Sequence, residues 1–221
     1  HKPKGKRVFV NSMSDLFWQA VPDSFVDQVF DVMEATPHLS YQILTKRPDR
    51  MLAYSRRRRF AKNIWAGVTV ENQAVRSRLD LLRQVETDSY RFVSAEPLLS
   101  PLTGADWSGI DWVITGGESG DHLLDPGICR ARGLVERRGS NLWVPRDERI
   151  PWVREIRNEV KARGIALFHK QWGGITNNIA GNVLDGVVWE EYPDNPAARV
   201  PVTIPPLPPP LVPPMPVGLD L

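Results

Sequence analysis

Cysteine is almost missing from this sequence: Cys129 is the single one among 221 residues. That excludes an intramolecular disulfide, and it excludes a structural zinc site or an iron–sulfur cluster held by several thiolates of this chain. A reducing cytoplasm fits such cysteine usage. Histidine is scarce too, at four residues, and no spaced His/Cys/Asp cluster of metal-ligand type accompanies His169. Long apolar runs are absent, since none approaches the roughly 20 residues a membrane-spanning helix needs. The opening HKPKGKR is basic without the apolar segment of a secretory signal. A soluble intracellular protein is therefore expected. Net charge is small as well: 28 Lys+Arg against 26 Asp+Glu leave +2, so a nucleic-acid partner has to be argued from local patches.

What is present is an alternation. Six short runs rich in β-branched and aromatic residues read as strands: residues 7–11 (RVFVN), 41–45 (YQILT), 63–69 (NIWAGVT), 90–95 (YRFVSA), 111–115 (DWVIT) and 165–169 (IALFH). They are near-continuously apolar, as strands buried on both faces are. Helical periodicity fills residues 23–35, with Phe25, Val29, Val32 and Met33 on one stripe and Asp23 as N-cap. It recurs over 73–85 on Val75, Leu79 and Leu82, and over 151–162 on Trp152, Ile156 and Val160. A further helix starts near Asp49. Strand–helix alternation of this kind predicts an α/β fold, a parallel (β/α) barrel that is partial and lacks its first unit.

Two stretches break the pattern. Residues 123–149 are rich in glycine and arginine without a sustained period, and read as an irregular inserted loop over one end of the sheet. Residues 195–221, with PPLPPPLVPP, read as an extended tail outside the 1–194 domain, either an unstructured terminus or a segment that docks on a partner's aromatic groove.

In such folds the loops after the strands build the site. Here they deliver Asn11, Ser12, Ser14 and Asp15; Lys46 and Arg47; Glu71 and Asn72; Glu96; Gly116, Gly117, Glu118 and Ser119; and Lys170, Gln171 and Trp172. The Gly116–Ser119 stretch, GGES, offers glycines that let a ligand approach the backbone and a carboxylate to accept from an amine or ribose hydroxyl. A tight turn requiring positive φ explains the glycines equally well. Lys46 and Arg47 suit a carboxylate or phosphate, or pair with Glu71 or Glu96 across the mouth. Arg56 to Arg59 form either a phosphate grip or, more commonly, a solvated helix end. Cys129 sits beside Arg130 and Arg132 with no base to partner it.

The segments VFVNSMSDLF, VPDSFVDQVFDVM, QILTKRPDRM, IWAGVTVENQ, RFVSAEPLL, DWVITGGESG, FHKQWGG and LDGVVWEEYP together resemble, in order, the phage gp thirty-seven/sixty-eight family of uncharacterised phage and prophage proteins. The resemblance implies a radical-S-adenosylmethionine-like barrel in a bacterial host's cytoplasm, with S-adenosylmethionine and a [4Fe–4S] cluster as cofactors. It implies a cofactor site at Asn11, Ser12, Lys46, Glu96, Gly116, Gly117 and Glu118, and a substrate site at Arg47, Glu71, Lys170 and Gln171. Members carry a cysteine-rich loop ahead of the RVFVNSMSDLF segment, whereas this chain opens at His1 without it. We therefore expect either a piece of a radical enzyme or a catalytically silent scaffold that binds a protein partner, through the tail and insert, or nucleic acid.

Overall fold

The computed structural model describes residues 6–139, 142–194 and 202–203. All six strand runs are strands: β1 Arg7–Val10, β2 Ser40–Thr45, β3 Ile64–Thr69, β4 Arg91–Ala95, β5 Trp112–Gly116 and, after the insert, β8 Ala166–Gln171. They form one parallel sheet in the order β1-β2-β3-β4-β5-β8. Helices α1 Asp23–Glu34, α2 Pro48–Arg57, α3 Arg78–Gln84 and α5 Ile150–Ala162 lie in four of the five connections, and β4 passes to β5 through a loop without a helix.

The expected (β/α) barrel is not what forms. The sheet curls into a half-barrel, and its first and last strands are unpaired with each other. The reason lies at the β8 edge. Residues 189–191 run antiparallel along it, with His169 N donating to Trp189 O at 2.8 Å and Glu191 N donating to Leu167 O at 2.9 Å. That occupies the hydrogen-bonding groups that ring closure requires. The gap is spanned by side chains: Arg7 of β1 binds Asp194 at 2.7 Å and stacks on the Tyr192 ring at 4.0 Å.

Strand alternation gives the sheet two unlike faces. Ile43, Ala66, Val68, Val93, Val113 and Leu167 face the helices and are the heart of the main core. The alternate residues Leu44, Trp65, Phe92, Trp112, Ile114 and Phe168 line the concave face as a separate aromatic cluster. Gly67 belongs to this row, and the Phe92 ring occupies the space a side chain there would need.

Helix faces follow packing more than the expected stripes. In α1 the buried residues are Val26, Phe30 and Met33, while Phe25 and Val32 are exposed. Asp23 lies in the first turn, not at the cap, and binds Arg50 at 2.7 Å. The 73–85 segment divides into a 3₁₀ turn, Gln73–Val75, capped by the Asn72 side chain, followed by α3. In α5 it is Val153, beside Trp152, that is fully buried with Ile156 and Val160. The insert carries structure of its own: α4 Pro126–Arg132, capped by Asp125 accepting from Ile128 N, and an antiparallel hairpin of β6 Val135–Arg138 and β7 Leu142–Pro145. Short pieces β9 Val183–Leu184, β10 Val187–Val188 and β11 Val202–Thr203 make a small antiparallel sheet. The rest of the proline-rich tail, residues 195–201 and 204–221, lies outside the described residues. No helix among the described residues is long and apolar enough to cross a membrane.

Candidate functional site

A cavity of about 730 Å³ occupies the concave face. Its floor is aromatic, from Phe9, Trp112, Phe168 and Tyr192, and its rim at the carboxyl ends of the strands is polar, from Ser94, Glu96, Glu118, Ser119, Lys170 and Gln171. Parallel pairing explains the rim. Every strand leaves the sheet in one direction, so residues just past each strand end share one edge.

The central pair is Glu96 with Lys170. Glu96 Oε1 lies 3.4 Å from Lys170 Nζ, and its other oxygen is 3.5 Å from Ser94 Oγ. Glu96 directly follows β4 and Lys170 stands on β8, with β5 between the two strands. They meet because the intervening residue is Gly116: a side chain there would overlap the Glu96 carboxylate. Glu96 retains 17% side-chain exposure and Lys170 51%. Burial pushes the Glu96 carboxyl above its ordinary pKa, and Lys170 and Ser94 offset this only in part. A desolvated carboxyl on a loose ion pair can accept a ligand's cation or exchange a proton.

Glu118 is differently held. Arg132 of α4 clamps it at both oxygens, at 2.6 and 2.9 Å, and His122 Nε2 stands 3.2 Å away. Burial alone raises its pKa, but the hydrogen bonds and charge of Arg132, with His122, outweigh that and hold the carboxyl low. Its acceptor capacity is thus spent inside the protein. Gly117 and Gly173 explain each other: a side chain on Gly117 would strike the Trp172 carbonyl, and one on Gly173 the Glu118 carbonyl. Neither Gly116 nor Gly117 has positive φ, so the glycines serve close packing of the β5 and β8 ends. Gln171 ties the same junction, donating to Gly117 O at 3.1 Å and Ser119 Oγ at 2.8 Å.

Asn11, Ser12, Lys46, Arg47 and Glu71 do not line the cavity. Lys46 Nζ lies 3.5 Å from Glu71, which also accepts from Arg78 at 2.8 Å. Arg47 turns to Asp15 at 3.5 Å and stacks on Trp18 at 3.9 Å. Asp15 in turn accepts from Thr45 Oγ1, Phe17 N and Lys46 N. Asn11, at φ 63°, donates to Ser14 Oγ, and Ser12 is exposed. Of the eleven expected residues, Glu96, Gly117, Glu118, Lys170 and Gln171 line the cavity. Gly116 stands behind Glu96.

Gln42, Ser94 and the aromatic floor were not anticipated. Their signal was available: Gln42 and Ser94 are polar residues inside largely apolar strands, on the alternation that carries Trp112 and Phe168. His169 is buried, with Nδ1 2.9 Å from Thr115 Oγ1 and Nε2 unpartnered, and burial lowers its pKa to about 4. The arginine run is largely neutralised: Arg57 binds Asp27, Arg58 binds Asp31 and Glu34, and Arg59 binds Asp88. That removes the free charge a phosphate grip requires. Cys129 is buried, its thiol donating to Val135 O at 3.3 Å.

A family model described as a protein of unknown function, DUF5131, matches residues 1–125. This span holds β1 to β5 together with Lys46, Glu71, Glu96 and the GGES segment. No curated protein and no solved structure matches the chain.

Proposed function

We propose that this chain, which belongs to the DUF5131 family of unknown function, binds a zwitterionic small molecule with a planar aromatic part on the concave face of its sheet. S-adenosylmethionine is the ligand we favour. Its amino-acid head carries both a cation and a carboxylate, which suit Glu96 and Lys170. Its adenine suits the floor of Trp112, Phe168 and Tyr192. The observation that carries the reading is the Glu96–Lys170 pair across Gly116, long enough at 3.4 Å for each partner to be shared with a ligand.

The iron–sulfur cluster of the resemblance does not fit these residues. Such a cluster takes several thiolates. Cys129 is the single cysteine and is buried against the β6 backbone, outside the residues lining the cavity. S-adenosylmethionine, when bound, supplies a sulfonium-activated carbon. The chain's own part is to hold the zwitterion against Glu96 and Lys170 and to stack the base on the aromatic floor.

Isothermal titration of the chain with S-adenosylmethionine, S-adenosylhomocysteine, adenosine and methionine tests this. Saturable binding is expected for the first two, weakened about tenfold or more by Glu96→Gln and by Lys170→Met, as the loss of a charge-assisted contact implies. Binding that neither variant weakens, or no saturable binding by any of the four, rejects the assignment.

A further inference from the structure

The layer built by α4 and the β6–β7 hairpin encloses a second cavity, of about 390 Å³. Its polar wall is basic: Arg130 of α4, Arg137 of β6 and Arg146 just past β7, with Glu136 the carboxylate among them. Buried Leu123 and Trp143 form an apolar side.

Arg146 is the informative residue. Its side chain keeps 13% exposure, yet the carboxylates near it are 3.5 Å away at Glu136 and 3.6 Å away at Glu148. Its Nη2 faces the Cys129 sulfur at 3.7 Å, and its Nε is buried with no partner. Glu136 is meanwhile held at 2.7 Å by Arg138. A guanidinium carries five donors, and leaving them under-bonded in a half-dry site is unfavourable. Arg130 is exposed, and its guanidinium makes no hydrogen bond or ion pair among the described residues. Arg149 donates to Gly133 O at 2.6 Å and to Arg130 O. Burial and the neighbouring Arg146 charge hold its pKa below the ordinary arginine value. Positive charge is thus concentrated here beyond what the nearby carboxylates absorb.

We propose that this cavity binds a small oxyanion of the phosphate class, received by the guanidinium groups of Arg130 and Arg146. Planar donor forks of this type match the tetrahedral oxyanion and its paired acceptor oxygens. The volume falls within the range of small-molecule sites, and Leu123 and Trp143 offer an apolar wall to an organic substituent. The inference is independent of the proposal for the concave face.

The test is titration of the full chain with inorganic phosphate and, separately, glycerol 3-phosphate, at ionic strength held constant with sodium chloride. Both calorimetry and the thermal midpoint are read. Saturable phosphate binding is expected, weakened about tenfold or more by Arg130→Ala. That exposed residue's removal should leave the ligand-free midpoint unchanged. Arg146→Lys, which keeps the charge and loses the fork, should weaken binding too. Lys170→Met should not, which separates this site from the larger cavity. Tighter binding of glycerol 3-phosphate than of phosphate marks a monoester as the source, and equal binding marks free phosphate. An equal midpoint shift with chloride alone, or full affinity in Arg130→Ala, overturns the proposal.

Discussion

A methyl group on Gly116 would overlap Glu96 Oε1 and stand 2.9 Å from its Cδ and Cγ, which makes Gly116→Ala a direct probe of how the cavity wall is assembled. Gly116 lacks positive φ, so alanine meets no backbone strain. The three nearest obstacles are all atoms of the Glu96 side chain. That side chain is flexible and can swing aside, which limits the cost to about 1–2 kcal/mol, toward the low end for overpacking. The Lys170 contact at 3.4 Å is lost with it. Removing the obstacle should reverse the sign. In a Glu96→Ala background, Gly116→Ala should stabilise by about 0.5 kcal/mol, because alanine restricts the unfolded chain more than glycine does. The two substitutions should therefore couple by about 2 kcal/mol, a size expected of residues in direct contact. Urea unfolding of the four proteins measures this, read as midpoint shifts at constant m-value. Equal costs of Gly116→Ala in both backgrounds would refute the claim that Gly116 exists to let Glu96 and Lys170 meet.

Two further outcomes follow from buried titratable groups. His169 is held at about pH 4 in the fold against an ordinary value of 6.5. Its contribution is fully present above 6.5 and is lost as pH falls toward 4, where the unfolded chain binds a proton the fold refuses. The loss approaches roughly 3 kcal/mol. His169→Gln should flatten the stability profile between these values, and an unchanged slope by circular dichroism would contradict the burial argument. Glu191 is fully buried, accepts from Lys161 Nζ at 2.7 Å on both oxygens, and accepts from Leu167 N at 2.8 Å. Lys161→Met leaves that carboxylate unpaired and should cost about 3 kcal/mol, with most of the loss recovered in the Lys161→Met/Glu191→Gln double variant. A cost under about 1 kcal/mol for the single variant would show that the pair is dispensable.

Much of the architecture was readable in one dimension because its causes are local. A strand buried on both faces must be a short apolar run, so the six runs from RVFVN to IALFH could be placed within a residue or two. Parallel order then put Lys46, Glu71, Glu96, Glu118 and Lys170 at one edge, since strands that run one way end on one side. Helix faces were less legible. Phe25 and Val32 have the period of a buried stripe in α1, but which stripe is buried depends on where the sheet lies beneath it. The insert hid α4 and a hairpin because neither is long enough to show a period.

Local composition thus determined the strands, their common edge and the polar groups brought to it. Tertiary structure alone decided three things. It left the sheet open, because residues 189–191 reach back to the β8 edge from some twenty positions away. It gave Glu118 to Arg132 and Lys46 to Glu71, so that residues alike in sequence differ in what they can bind. It also made Gly116 the window through which Glu96 and Lys170 meet. Each depends on which distant backbone comes within a few ångströms, and neither period nor composition carries that distance.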